Sequence, residues 1–170
     1  MPRTARSSDT LLATRNDLPE AARSQIVGLL NRRLADAVDL TTQCKQAHWN
    51  VRGANFIAIH RLFDELHESV SEYADLIAER IGQLGGLARG TAREAAENSE
   101  LDEYPVAMTA VEQHVKTLSG ALAGFGSRMR FAIQEAGELD DAVTADLCTE
   151  IARGTDKWLW FVESHGTARS

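Results

Sequence analysis

The sequence predicts an all-α protein, a four-helix bundle with a short extra helix in the connection between helices two and three. Three observations predict it. Only 3 prolines occur in 170 residues, so long helices meet few breakers. Four stretches carry apolar residues at three- and four-residue spacing, each bounded by glycine or proline. The connection from Gly85 to Pro105 is too long for a plain up-and-down turn and holds a helix cap of its own.

In chain order, residues 1–16 are polar, small and without sustained periodicity, and read as a flexible tail. Residues 17–165 read as the bundle and residues 166–170 as a short C-terminal tail. Asp17-Leu-Pro-Glu20 places proline and an acid where a helix starts. Ile26, Leu29, Leu30, Leu34, Ala37 and Leu40 then keep helical spacing to about Val51, and Gly53 breaks it. A second helix runs from about Ile57 to Leu84, stopped by Gly85-Gly86. Thr91-x-x-Glu94 is a capping box that opens a short helix to about Asn98. Tyr104-Pro105 introduces a third long helix, expected over about Val106 to Ala136 and ended by Gly137. Asp140 or Asp141 caps a fourth, to about Ser164. Gly120, Gly124 and Gly126 within the third helix suggest close backbone approach.

A length of 170 residues, 44% of them hydrophobic and 25% charged, suits one soluble domain. Two distant cysteines, Cys44 and Cys148, do not make a disulfide framework and fit a reducing compartment. No stretch has a signal peptide's apolar core or the length of a membrane span, so the expected location is cytoplasmic. Arg3, Arg6 and Arg15 against Asp9 give residues 1–16 a charge of +2, which leaves −9 on residues 17–170. Phosphates are repelled by such a body, so any nucleic-acid contact falls to the tail.

The chemistry concentrates on the second helix. With His60 at zero and about 100° per residue, Phe63, Leu66, Val70, Ile77 and Ile81 form one apolar stripe. His60, Asp64, Asp75 and Glu79 gather on the opposite face. Residues four apart stack along a helix, so His60/Asp64 and Asp75/Glu79 are each spaced to share an ion. Imidazole with carboxylate suits iron, manganese or zinc. Asp75 lies about 22 Å beyond His60 along the axis, whereas ligand bonds span about 2 Å. The two pairs therefore meet only if an antiparallel copy of the helix, related by a two-fold axis near residue 70, lies alongside. His48, at the end of the first helix, reaches the same centre through a short reversal at Gly53. A di-iron site within one bundle needs Glu-x-x-His on two helices. Asp64-x-x-His67, Glu112/His114 and Glu163/His165 do not supply it.

His48-Trp49-Asn50-x-x-Gly53-x-x-Phe56-x-x-x-His60-x-x-x-Asp64, followed by Asp75-x-x-Ala78-Glu79-Arg80, resembles the signature of Dps, the DNA-binding proteins from starved cells. The likeness extends from about Thr14 to Ser164 and takes in Leu30-Asn31-Arg32, Lys45-Gln46-Ala47, Tyr104-Pro105 and the 156–161 run DKWLWF. It implies a ferritin-like bundle assembled as a hollow homododecamer, with a ferroxidase centre shared across the two-fold axis. By resemblance, His48, His60 and Asp64 come from one subunit, and Asp75 and Glu79 from its neighbour. Fe(II) would be oxidised to Fe(III), preferentially by hydrogen peroxide, and stored as ferric mineral, with zinc or manganese as substitutes. Trp49 resembles a tryptophan that intercepts stray oxidising equivalents, and simple packing is its other reading. Glu65, Glu68 and Glu72 are candidates for mineral nucleation, Asp141 and Asp146 for three-fold pores. Arg3, Arg6 and Arg15 are candidates for weak, non-specific DNA contact and nucleoid association.

Two further functions stay open from the residues: a nucleoid-condensing structural protein with a secondary metal site, and a zinc- or manganese-binding regulator.

Overall fold

A computed structural model describes residues 11–166. Five helices follow in order: α1 (Glu20–Asn50), α2 (Phe56–Gln83), α3 (Ala92–Asn98), α4 (Val111–Glu138) and α5 (Ala142–Glu163). Among the described residues there is no strand beyond one isolated bridge between Arg52 and Ala110. No described helix is long and apolar enough to cross a membrane.

α1 packs chiefly on α2 and α4 on α5, and the two hairpins close on each other through α1–α4 and α2–α5. The apolar stripe expected on α2 lies at the centre: Phe63, Leu66, Val70, Ile77 and Ile81 are fully buried with Leu40, Leu118 and Phe125. Each such side chain is worth roughly 1.5–3 kcal/mol on leaving water.

The α1–α2 turn is tight because two of its residues accept a left-handed backbone, Gly53 at φ 127° and Asn55 at φ 58°. The Arg52 amide donates to the Thr109 carbonyl at 2.7 Å, pinning this turn to the segment before α4. That segment explains a correction: α4 starts at Val111, not at about Val106. It ends at Glu138, running through Gly137, because Asp140, at φ 58°, supplies the left-handed residue. Of the three α4 glycines, Gly126 sits against Thr155 of α5 and Gly124 against Leu101, whereas Gly120 has open space.

Residues 11–16, expected to belong to the free tail, are attached. Leu11 packs on the core and the Leu12 amide donates to Gly85 at 2.7 Å. A Cβ on Gly85 would lie 2.5 Å from the Leu12 carbonyl oxygen, so the glycine is sterically required. Arg23 braces the same corner, donating to the Leu18 and Leu84 carbonyls. Asn31 holds the connection, donating to the Leu87 carbonyl and accepting from the Arg89 amide.

A buried ion pair locks α2 to the start of α5. The Arg80 guanidinium donates to both Asp141 oxygens at 2.9 and 3.0 Å. Asp141 also caps α5, accepting from the Thr144 amide and hydroxyl. Burial pushes the Asp141 carboxyl upward, but the bonds from Thr144 and Arg80 outweigh it and hold it below the usual carboxylate range.

Asp141→Ala leaves a buried guanidinium unpaired, and chemical denaturation should read a loss of about 3–5 kcal/mol. The wild-type contribution should be complete above the ordinary carboxylate pKa and fade as pH falls through the lower folded value, a dependence the variant should lack.

Candidate metal centre

The antiparallel α1/α2 hairpin builds the site. His48 is opposite His60, Lys45 opposite Asp64 and Thr41 opposite His67, a constant register along the pair. His48 Nδ1 lies 2.8 Å from the His60 carbonyl oxygen, and His60 Nδ1 lies 2.9 Å from the His48 carbonyl oxygen. A carbonyl only accepts, so both Nδ1 atoms carry the hydrogen and donate it. In its neutral form each ring then leaves Nε2 as a bare acceptor, the tautomer a metal ion needs. The rings stack at 3.7 Å between centroids, and Phe56 lies 5.1 Å from the His60 ring.

Asp64 completes this half: its Oδ1 is 3.8 Å from His48 Nδ1 and accepts from the Lys45 ammonium. The Lys45 bond holds the Asp64 carboxyl below its ordinary value against the opposing effect of desolvation. One carboxylate and two imidazoles lining the same depression are the donor types that suit a borderline divalent cation. His48, His60 and Asp64 line an open depression of about 310 Å³ with Arg61, Glu65 and Glu68.

Asp75 and Glu79 lie exposed further along α2, and the continuous helix keeps them about 16–28 Å from Asp64 and His60 along its axis. Among the described residues, no group of three His, Cys, Asp or Glu side chains of one chain gathers as a metal cluster. The chain brings His48, His60 and Asp64 to one depression without closing them into a cluster, and keeps Asp75 and Glu79 apart from them.

The remaining candidates separate by burial. Trp49 is 63% exposed, so packing within its own chain does not account for it. Glu65 and Glu68 border the depression, and Glu72 is exposed further along α2. Asp146 is exposed on α5. Asp141 is corrected as a pore residue: it is 2% exposed, and both oxygens are committed to Arg80 and Thr144. Arg15 is exposed, whereas Arg3 and Arg6 lie outside the described residues. Cys44 is a buried free thiol whose pKa is pushed up by burial, so it is no thiolate ligand.

Sequence reasoning named Lys45 and His67 but did not place them near Asp64. Extending the 48/60 register by two turns would have found both. The rejected single-bundle site stays rejected, since Glu112 is exposed while His114 is 1% exposed. Tyr104 and His114 form an unexpected buried pair, with phenolic oxygen and Nδ1 2.6 Å apart. Burial holds the His114 ring below its ordinary pKa, which keeps it neutral, while the Met108 carbonyl acts weakly the other way.

A ferritin family model, described as a ferritin-like domain, matches residues 27–168. The DNA protection during starvation protein of Agrobacterium fabrum is 39% identical over 157 residues, covering 92% of this chain and 97% of that one. The protein of the same description from Mycolicibacterium smegmatis is 34% identical over 148 residues, covering 87% and 80%. Among solved structures, DpsC from Streptomyces coelicolor superposes with a TM-score of 0.91 at 30% identity, covering 99% and 98%. A tetragonal form of Mycobacterium smegmatis Dps gives 0.86 at 33%, covering 92% and 94%.

The tautomers are directly measurable. Nitrogen-15 NMR at a pH where both rings are neutral should find His48 and His60 protonated at Nδ1 and bare at Nε2; the reverse assignment would contradict the mutual carbonyl bonds.

Proposed function

The chain belongs to the Dps family of ferritin-like proteins, and from that premise we propose that it is a ferroxidase and iron store. In this reading it oxidises Fe(II) at a centre shared by two copies and keeps the ferric product inside a hollow homododecamer, protecting DNA from oxidative damage. One observation carries it: His48 and His60 are tied by their Nδ1 atoms to each other's carbonyls with Asp64 close to His48, while Asp75 and Glu79 lie about 22 Å away on the same rod. A second copy, antiparallel across a two-fold axis, supplies Asp75 and Glu79, and the symmetry makes two sites per pair.

Iron is the substrate. The imidazoles and carboxylates hold Fe(II) and favour Fe(III), because anionic oxygen donors stabilise the higher charge. Hydrogen peroxide, taking one electron from each of two Fe(II) ions, goes to water without releasing hydroxyl radical. Lys45 balances the Asp64 charge and must give way as a cation arrives. Trp49, standing exposed beside His48, is placed to donate an electron to a stray oxidant. Glu65, Glu68 and Glu72 offer carboxylates to the growing mineral, and Asp146 borders the route by which iron enters. Zinc or manganese fit the same donors without the storage chemistry. The exposed Ile57, Phe131, Val143 and Trp160 are apolar surface of the kind that assembly would cover. The tail arginines Arg3, Arg6 and Arg15, repeated on every subunit, supply weak, sequence-independent DNA contact and nucleoid association.

His60→Ala with Asp64→Ala should abolish peroxide-dependent Fe(II) oxidation, and unchanged oxidation would refute the site. Asp75→Ala with Glu79→Ala should be equally silent alone. Co-expressing the two silent variants should recover about one quarter of the sites by random two-fold pairing. Failure to recover any activity in verified mixed shells would sink the shared centre. DNA retardation in a gel should occur only at low salt and vanish when residues 1–10 are removed.

A further inference from the structure

We propose that Tyr104 and His114 form a proton-coupled redox pair, an internal electron donor that quenches one-electron leakage from the metal centre. The inference rests on the ferroxidase reading for its oxidant, and on separate residues for its chemistry.

Tyr104 is 8% exposed and His114 1% exposed, so the pair sits inside the bundle. Their rings lie 19° from parallel with centroids 6.1 Å apart, and the phenolic oxygen is 2.6 Å from Nδ1. The hydroxyl has no other acceptor among the described residues, so the phenol donates and the imidazole accepts. His114 Nε2 is buried with no well-formed hydrogen bond, so the bond to the phenol is the one well-formed hydrogen bond of the ring. A structural tie between the segment before α4 and its first turn would need only one of many possible bonds. A basic nitrogen aligned on a phenol in a dry core is the arrangement that makes phenol oxidation feasible, since the proton has a place to go.

The position is as informative as the chemistry. The His114 ring meets Phe63 edge-on at 6.4 Å, and Phe63 immediately precedes Asp64. Cys44 shares the buried core with Tyr104 and lies one helical turn, about 6 Å, before His48 on α1. The pair therefore lies behind the same two turns of α1 and α2 that present the ligands on their other face. Tyr73, the only other tyrosine, is half-buried with its hydroxyl near Gly154 and Trp158, and it has no imidazole to take its proton.

The oxidant is the hydroxyl radical formed when a single Fe(II) gives one electron to hydrogen peroxide. Tyr104 releases one electron while its phenolic proton moves along the hydrogen bond to His114 Nδ1. The products are a neutral tyrosyl radical and an imidazolium. The hydroxyl radical takes the electron with one solvent proton and becomes water. A further Fe(II) returns one electron to the tyrosyl oxygen and becomes Fe(III), and the proton moves back from His114. The sum converts one hydroxyl radical, one proton and one Fe(II) into water and Fe(III), with the pair restored.

Rapid freeze-quench EPR on the assembled full-length protein, mixed with Fe(II) and hydrogen peroxide, reads this directly. A tyrosyl signal is expected, lost in Tyr104→Phe and retained in Tyr73→Phe. Growing Tyr73→Phe with ring-deuterated tyrosine labels only Tyr104, and the signal should then narrow without any change at the pair itself. His114→Gln keeps a hydrogen-bond acceptor but no base, and should lose most of the signal. A protein that oxidises Fe(II) yet gives no tyrosyl signal, gives only a tryptophanyl one, or keeps its signal in Tyr104→Phe overturns the proposal. Pulse radiolysis supplies a one-electron oxidant without iron. A Tyr104 radical formed there by a chain that cannot oxidise Fe(II) would sink the ferroxidase reading and leave the pair standing. Absence of the radical under both conditions removes the pair.

Discussion

Two mutual hydrogen bonds, from His48 Nδ1 to the His60 carbonyl and from His60 Nδ1 to the His48 carbonyl, tie the end of α1 to the start of α2. They fix the register of the hairpin, and the register then places Lys45 against Asp64 and Thr41 against His67. They also fix the tautomer that each neutral ring adopts. One pair of bonds sets where the donors are and which nitrogen each offers. Because α2 is a continuous helix, the same register holds Asp75 and Glu79 at a distance no side-chain rearrangement can close. The nearness of His48, His60 and Asp64 and the remoteness of Asp75 and Glu79 have one cause.

Keeping α2 straight and seated takes charge as well as apolar burial. Arg80 and Asp141 lock its far end to α5 at 8% and 1% side-chain exposure. On the other side of the bundle, buried Asp36 accepts from the Glu100 amide and pairs with Arg33 at 3.1 Å, while Arg33 and Arg128 both reach Glu100. Burial raises the Asp36 carboxyl despite these partners, whereas the more exposed Glu100 is lowered by Arg33. Buried charges of this kind contribute less to net stability than to uniqueness of docking, since each tolerates only one partner geometry. They fasten the connection carrying α3 onto α1 and so hold the segment containing Tyr104 in place.

That segment also marks the limit of local reasoning. Tyr104-Pro105 has the composition of a helix start, yet α4 begins only at Val111. The Thr109 carbonyl is taken by Arg52 and the Tyr104 hydroxyl by His114, contacts across the fold that outweigh a local preference. Gly137 failed as a stop for a related reason: a glycine within a helix costs only about 1 kcal/mol, and Asp140 provided the turn instead. Asp141 looked like a surface acid because local sequence gives no sign of Arg80 arriving from α2.

By itself the sequence determined the helical class, the apolar stripe of α2, the Thr91 N-cap of α3 and the separation of His60 and Asp64 from Asp75 and Glu79. All of these depend on fixed helical geometry and on residues a few positions apart, so spacing is enough to read them. Only the tertiary structure decided which nitrogen each histidine exposes, that Lys45 sits on Asp64, that Asp141 is buried, and that Tyr104 meets His114. Those facts depend on the angle and register at which separate helices meet, and no single stretch of chain contains that information.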